Sequence, residues 1–97
     1  MNSDERRLRD LEGVGKEFLK DFDLLGIKSV AELSKRDPDG LYRELCILTG
    51  TAQDICVLDT FRCAVAQARN PRLPEAQRKW WYWSKKRKES TCREKIL

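Results

Sequence analysis

The 97-residue chain has no histidine, a single methionine, three prolines and no long uninterrupted apolar run. Each shortage excludes something. Without histidine, no imidazole can activate a cysteine or serine nucleophile, and a mixed Cys/His zinc cage cannot form. The four cysteines, Cys46, Cys56, Cys63 and Cys92, lack C-x-x-C spacing, so they predict no metal site. Nothing approaches the roughly 18 apolar residues that a membrane helix needs. Met1-Asn2-Ser3-Asp4-Glu5-Arg6-Arg7 leads into no apolar h-region, so a secretory signal is not expected. The expectation is a cytoplasmic protein with reduced thiols, in which Cys56 and Cys63 serve as small core residues and Cys92 is a free thiol in a polar tail. Strand-type alternation is also missing, which leaves helices as the only regular element.

Charge is abundant but unevenly placed. The first 68 residues carry ten Lys/Arg against thirteen Asp/Glu, and the last 29 carry ten against three. A near-neutral body with a basic end suits a polyanionic partner, and it equally suits a merely soluble tail. We divide the chain into a body, residues 1–69, and a linker, short helix and basic tail, residues 70–97.

Local signals place the helices. Ser3, followed by Asp4 and Glu5, caps a short first helix that buries Leu8 and Leu11. A second helix begins at Lys16, with Phe18, Leu19, Phe22 and Leu25 on one stripe, and Gly26 ends it. Ser29 and Glu32 have capping-box spacing. Asp37-Pro38 reads as an N-cap followed by an N1 proline, and its helix sets Leu41, Leu45 and Leu48 on one side up to Gly50. Thr51 and Asp54 open the longest helix, which runs to about Ala68. It is apolar nearly all round and belongs at the centre of a bundle. Its two charged residues, Asp59 and Arg62, are spaced to pair with each other. Asn70-Pro71 and Pro74 mark a linker, and a last short helix is expected from Glu75 to about Trp83, fraying from Ser84.

Leu11-Glu12-Gly13-Val14-Gly15-Lys16 is the most informative stretch. Two glycines around one small apolar residue permit a tight turn, and the second opens a helix whose free N–H groups and positive dipole end suit a phosphate. Lys16 and Lys20 stand one turn apart beside it. With Leu25, Gly26 and Ile27, these residues resemble the helix-hairpin-helix DNA-binding families. The resemblance implies that Gly13, Val14, Gly15 and Lys16 hold a DNA backbone without reading bases. Glu12 stands where those families often have proline, and Glu17 adds a second negative charge. A hairpin that only packs helices or docks a protein is the alternative. Leu48-Thr49-Gly50-Thr51-Ala52 looks like a worn second copy, with Ala52 in place of the second glycine, so its expected role is scaffold. The expected fold is therefore an all-α small bundle, similar to paired helix-hairpin-helix units, with one good element and one degenerate one.

A closer resemblance covers roughly residues 11–83. Gly26-Ile27-Lys28-Ser29-Val30-Ala31-Glu32-Leu33, Asp37-Pro38, Leu41-Tyr42, Leu45-Cys46, Gly50, Gln53-Asp54, Cys56-Val57-Leu58, Phe61-Arg62-Cys63-Ala64-Val65 and Trp80-Trp81-Tyr82-Trp83 look like the bacterial pathogenicity-locus family. Members of that family often carry the name of mitomycin resistance. The resemblance implies a helix-hairpin-helix fold and a link to DNA, and supplies no established activity.

Trp80, Trp81, Tyr82 and Trp83 read either as a stacking platform for bases or as an anchor that docks the last helix onto the bundle or a second subunit. Lys85, Lys86, Arg87 and Lys88 read either as phosphate contacts or as a solvated face. Leu58-Asp59-Thr60 faintly echoes the catalytic aspartate segment of helix-hairpin-helix glycosylases, but about 44 residues separate it from Gly15, roughly twice the gap expected there. The sequence thus predicts a non-enzymatic, sequence-nonspecific DNA-binding module needing no cofactor. A protein-interaction or homodimerisation module is the alternative.

Overall fold

The computed structural model describes residues 6–96, with side chains through Glu89. All its regular structure is helical, and no strand occurs among the described residues. A 3-10 turn at Leu8–Asp10 precedes five helices: α1 (Lys16–Leu24), α2 (Val30–Ser34), α3 (Pro38–Thr49), α4 (Ile55–Arg69) and α5 (Trp80–Ile96). A second 3-10 turn, Glu75–Arg78, joins α4 to α5. The predicted first helix is only the Leu8–Asp10 turn among these residues. Its expected cap, Ser3, and Asp4 and Glu5 lie outside them.

Caps legible from sequence do what their chemistry requires. Ser29 Oγ accepts the Glu32 N–H at 3.1 Å, while the Glu32 carboxylate accepts from the Lys28 amide. Asp37 accepts the Gly40 N–H ahead of Pro38 at N1. At the end of α1, Gly26 adopts a left-handed φ of 77°, its N–H donates to Asp23 O, and the Ile27 N–H donates to Phe22 O. That pair of bonds is a Schellman closure, which satisfies the last carbonyls and needs a residue without a Cβ penalty. Gly50 ends α3 with the same pair of bonds, to Ile47 O and Cys46 O.

Helix α4 lies at the centre, packed by α2, α3 and α5. Phe61, fully buried, stacks on Phe22 with ring centroids 5.6 Å apart and meets the Phe18 edge at 6.0 Å. Leu33, Leu41, Leu45, Ala64 and Val65 complete the core around it.

Several expectations fail, each for a spatial reason. Leu48 does not join Leu41 and Leu45 inside. It is exposed with Ile47 at the last turn of α3. Cys56 is exposed in the first turn of α4, and of these two cysteines Cys63 alone is buried. Asp59 and Arg62 do not pair. Arg62 reaches Asp39 at the start of α3 at 3.0 Å, and Asp59 turns the other way to meet Arg87 of α5. The last helix does not stop at Trp83. It begins at Trp80 and continues to Ile96, because Lys, Arg and Glu are all good helix formers even without an apolar stripe.

The two α4 cysteines should differ in reactivity. Burial pushes the Cys63 thiol up to about 11. Cys56 is also raised, by its hydrogen bond to Asp54 before burial, yet it remains accessible. At pH 8 the buried Cys63, with its pKa near 11, is thiolate about one part in a thousand. With Cys92 changed to serine, a disulfide reagent should label Cys56 readily and Cys63 only on the timescale of unfolding. Mass spectrometry of timed samples distinguishes the two.

Candidate nucleic-acid interface

The hairpin is built around one buried residue. Val14 points into the core while Gly13 and Gly15 lie on the surface. Gly13 has φ 85°, a conformation side chains resist, whereas Gly15 is extended at φ −95°. No atom lies within 4 Å of where a Cβ would sit on either glycine, so the outer face is open. The Val14 N–H is used internally, donating to Leu11 O at 3.3 Å. Gly15 is the N-cap of α1 and supplies no side-chain cap, so among the described residues no side chain satisfies the free amides of the first turn, and Lys16 and Glu17, which carry two of them, are exposed. Lys16 and Lys20 are exposed and carry no ion pair among the described residues.

Gln67 holds this bend to the central helix, a role the sequence reading missed. Its buried amide accepts the Glu12 N–H and donates to the Glu12 carbonyl, both at 2.9 Å. Arg6 adds a bond to Gln67 O at 2.9 Å. The signal available in the sequence was a lone glutamine in an otherwise apolar stretch of α4.

The charge of Glu12 is countered by two cations that precede α5. Its carboxylate lies 2.9 Å from Lys79 and 3.6 Å from Arg78. The hydrogen bond from Lys79 and the two positive charges hold its pKa below the usual carboxylate value. Two further basic residues, Lys79 and Arg78, are thereby brought beside the hairpin, 66 and 65 positions along from Gly13. On α1 itself, Asp21 is half-buried, and burial followed by the neighbouring Glu17 charge raises its pKa.

The C-terminal candidates separate onto different sides of α5. Trp83 turns inward and donates its indole N–H to Gln77 O at 2.8 Å. Lys86 lies over the Tyr82 and Trp83 rings, 5.3 and 6.0 Å from their centroids. Arg87 grips the fully buried Asp59 with bonds of 3.0 and 3.1 Å, which raises its pKa and spends its guanidinium on the fold. Trp80 and Trp81 face outward, 39% and 58% exposed, with Lys85 and Lys88 also exposed. The grouping of four aromatics and four cations in sequence is thus not one surface in space.

The loop between α3 and α4, expected to be a worn second hairpin, is tied to α3. The Tyr42 hydroxyl donates to Gln53 O, and the Gln53 N–H donates to Cys46 Sγ. No cluster of three or more metal-ligating side chains occurs among the described residues. No helix there is long and apolar enough to cross a membrane.

These features define a small all-helical protein with an open glycine bend clamped to its central helix. The chain belongs to the pathogenicity-locus (Cdd1) family, whose model matches residues 2–89. It is 38% identical over 87 residues to the mitomycin resistance protein McrB of Streptomyces lavendulae, covering 90% of this chain and 79% of that one. No solved structure matches it.

Proposed function

We propose that this chain is a non-enzymatic, sequence-nonspecific DNA-binding module that holds one phosphate backbone at the Gly13–Gly15 hairpin. The observation that carries the reading is the uncapped, exposed start of α1, flanked by Lys16 and Lys20. Unsatisfied amides and the positive helix end attract a phosphate, and the lysines add charge without base selectivity. The name of the Streptomyces lavendulae relative supports a tie to resistance against mitomycin-type DNA damage.

Structure refines the test. Gly13 is strained by any side chain, so its variants confound folding with binding. Gly15 is not, and Gly15→Leu should fold while covering the amides. Duplex binding should be micromolar or weaker. In Gly15→Leu it should fall by about tenfold for every sequence tried, as expected for lost backbone contacts. In Lys16→Gln/Lys20→Gln the salt slope should flatten by about 0.9 per lysine removed. Unchanged binding in these folded variants excludes the hairpin.

A protein-interaction or dimerisation surface is the second reading, favoured by the exposure of Trp80 and Trp81. Its homodimer form requires a concentration-dependent sedimentation coefficient. Glycosylase chemistry has the least support, because Asp59 is buried and bound to Arg87.

A further inference from the structure

An open groove of about 880 Å³ lies between the start of α4 and the outer side of α5. Ile55 and Cys56 form one wall, and Trp80, Trp81, Lys85 and Lys88 form the other. Positions 81, 85 and 88 follow the i, i+4, i+7 pattern of one helical face. The lysines therefore stand roughly 6 and 10 Å along the axis from Trp81. An indole followed by two cations on one line matches a base followed by its own backbone phosphates. The Trp80 and Trp81 rings meet edge to face, centroids 5.9 Å apart at 81°, and Trp81 keeps 58% of its surface exposed, which gives a base room to stack.

From this geometry we infer that the α4–α5 groove takes an unpaired stretch of nucleic acid, stacking a base on Trp81 and holding phosphates with Lys85 and Lys88. The inference deepens the DNA-binding reading and rests on it: the substrate class becomes DNA with a single-stranded segment. Charge selects this occupant. Glu89 is the one acid among the lining residues, against Lys85, Arg87 and Lys88. A second copy docked by two-fold symmetry would set like-charged rims against each other, whereas a strand of phosphates neutralises them. Arg87 is held by Asp59, so the phosphate contacts fall to the two lysines.

The test uses the full chain and two fluorescent probes, an eight-nucleotide oligo-dT and a duplex of random sequence. Trp81→Ala should weaken oligo-dT binding by about tenfold, within the roughly 5- to 150-fold range of one stacked base. Trp81→Phe should restore most of it, and duplex affinity should move less than about twofold in either variant. Lys85→Gln/Lys88→Gln should flatten the single-strand salt slope by about 1.4, at roughly 0.7 per charge. Gly15→Leu should do the reverse, weakening the duplex and sparing oligo-dT. Oligo-dT affinity unchanged in Trp81→Ala overturns the groove. If Gly15→Leu still weakens the duplex in that case, the hairpin reading stands alone. Trp81-dependent self-association with no effect on oligo-dT also overturns the groove, in favour of a protein interface. Trp81-dependent oligo-dT binding alongside an unaffected Gly15→Leu duplex supports the groove and removes the hairpin.

Discussion

Replacing Arg87 by methionine should destabilise the fold by about 3 kcal/mol, the scale of stranding a buried charge. Asp59 has no exposed surface and sits in the middle of α4, where its carboxylate is bonded at both oxygens by Arg87. Methionine keeps much of the arginine stem's packing and removes the counter-charge. The Arg87 side chain is about one-fifth exposed, which places the effect at the lower end for a buried pair. In a chain of this size the loss should appear as a fall in melting temperature of roughly 12–24 °C. The decisive control is Asp59→Leu/Arg87→Met. Removing both charges together should recover most of the stability, because the net worth of such a pair against apolar packing is small. A single variant that melts with the parent would show that Arg87 is not the latch joining α5 to α4. The same experiment separates Arg87 from its sequence neighbours, since Lys85 and Lys88 variants should alter salt dependence without altering melting.

What was legible in the sequence was local. Ser29, Asp37-Pro38, Gly26 and Gly50 act on groups within five residues, so their side-chain chemistry alone determines where helices begin and end. The apolar continuity of α4 likewise required a central position, and its neighbours confirm it. Relationships across the chain were not legible. Asp59 and Arg62 have helical pairing distance, yet each had a better partner elsewhere: Arg87, 28 positions on, for Asp59, and Asp39 on α3 for Arg62. Arg87 was hidden because α5 carries no apolar stripe to announce its length. Its register against α4 is set by one ion pair and by the inward turn of Trp83. The hairpin's glycines announced an exposed bend, but Val14, flanked by them, is a core residue whose amide is bonded internally. The fate of Glu12 depended on Lys79 and Arg78, more than 60 residues away, and no spacing rule reaches that far.

Gln67→Met should cost about 2–6 kcal/mol, summed over two backbone groups left without partners at about 1–3 kcal/mol each, and should release the hairpin. Methionine matches glutamine in length and flexibility, so the packing beside Cys63 is largely kept while both bonds to the Glu12 backbone disappear. The Glu12 N–H and C=O sit against α4 in the parent and would have to find water or move. Hydrogen exchange gives the specific readout. The Glu12 amide should lose its protection by far more than the core amides of Phe61 and Ala64, which lose only what global stability loses. Duplex affinity should fall severalfold as well, because a loosened bend presents the start of α1 in many orientations instead of one. Unchanged Glu12 protection in a folded Gln67→Met protein would mean that Val14 and the Leu11 carbonyl alone fix the turn. The rigidity of the bend would then come from the core beneath it, independent of the clamp beside it.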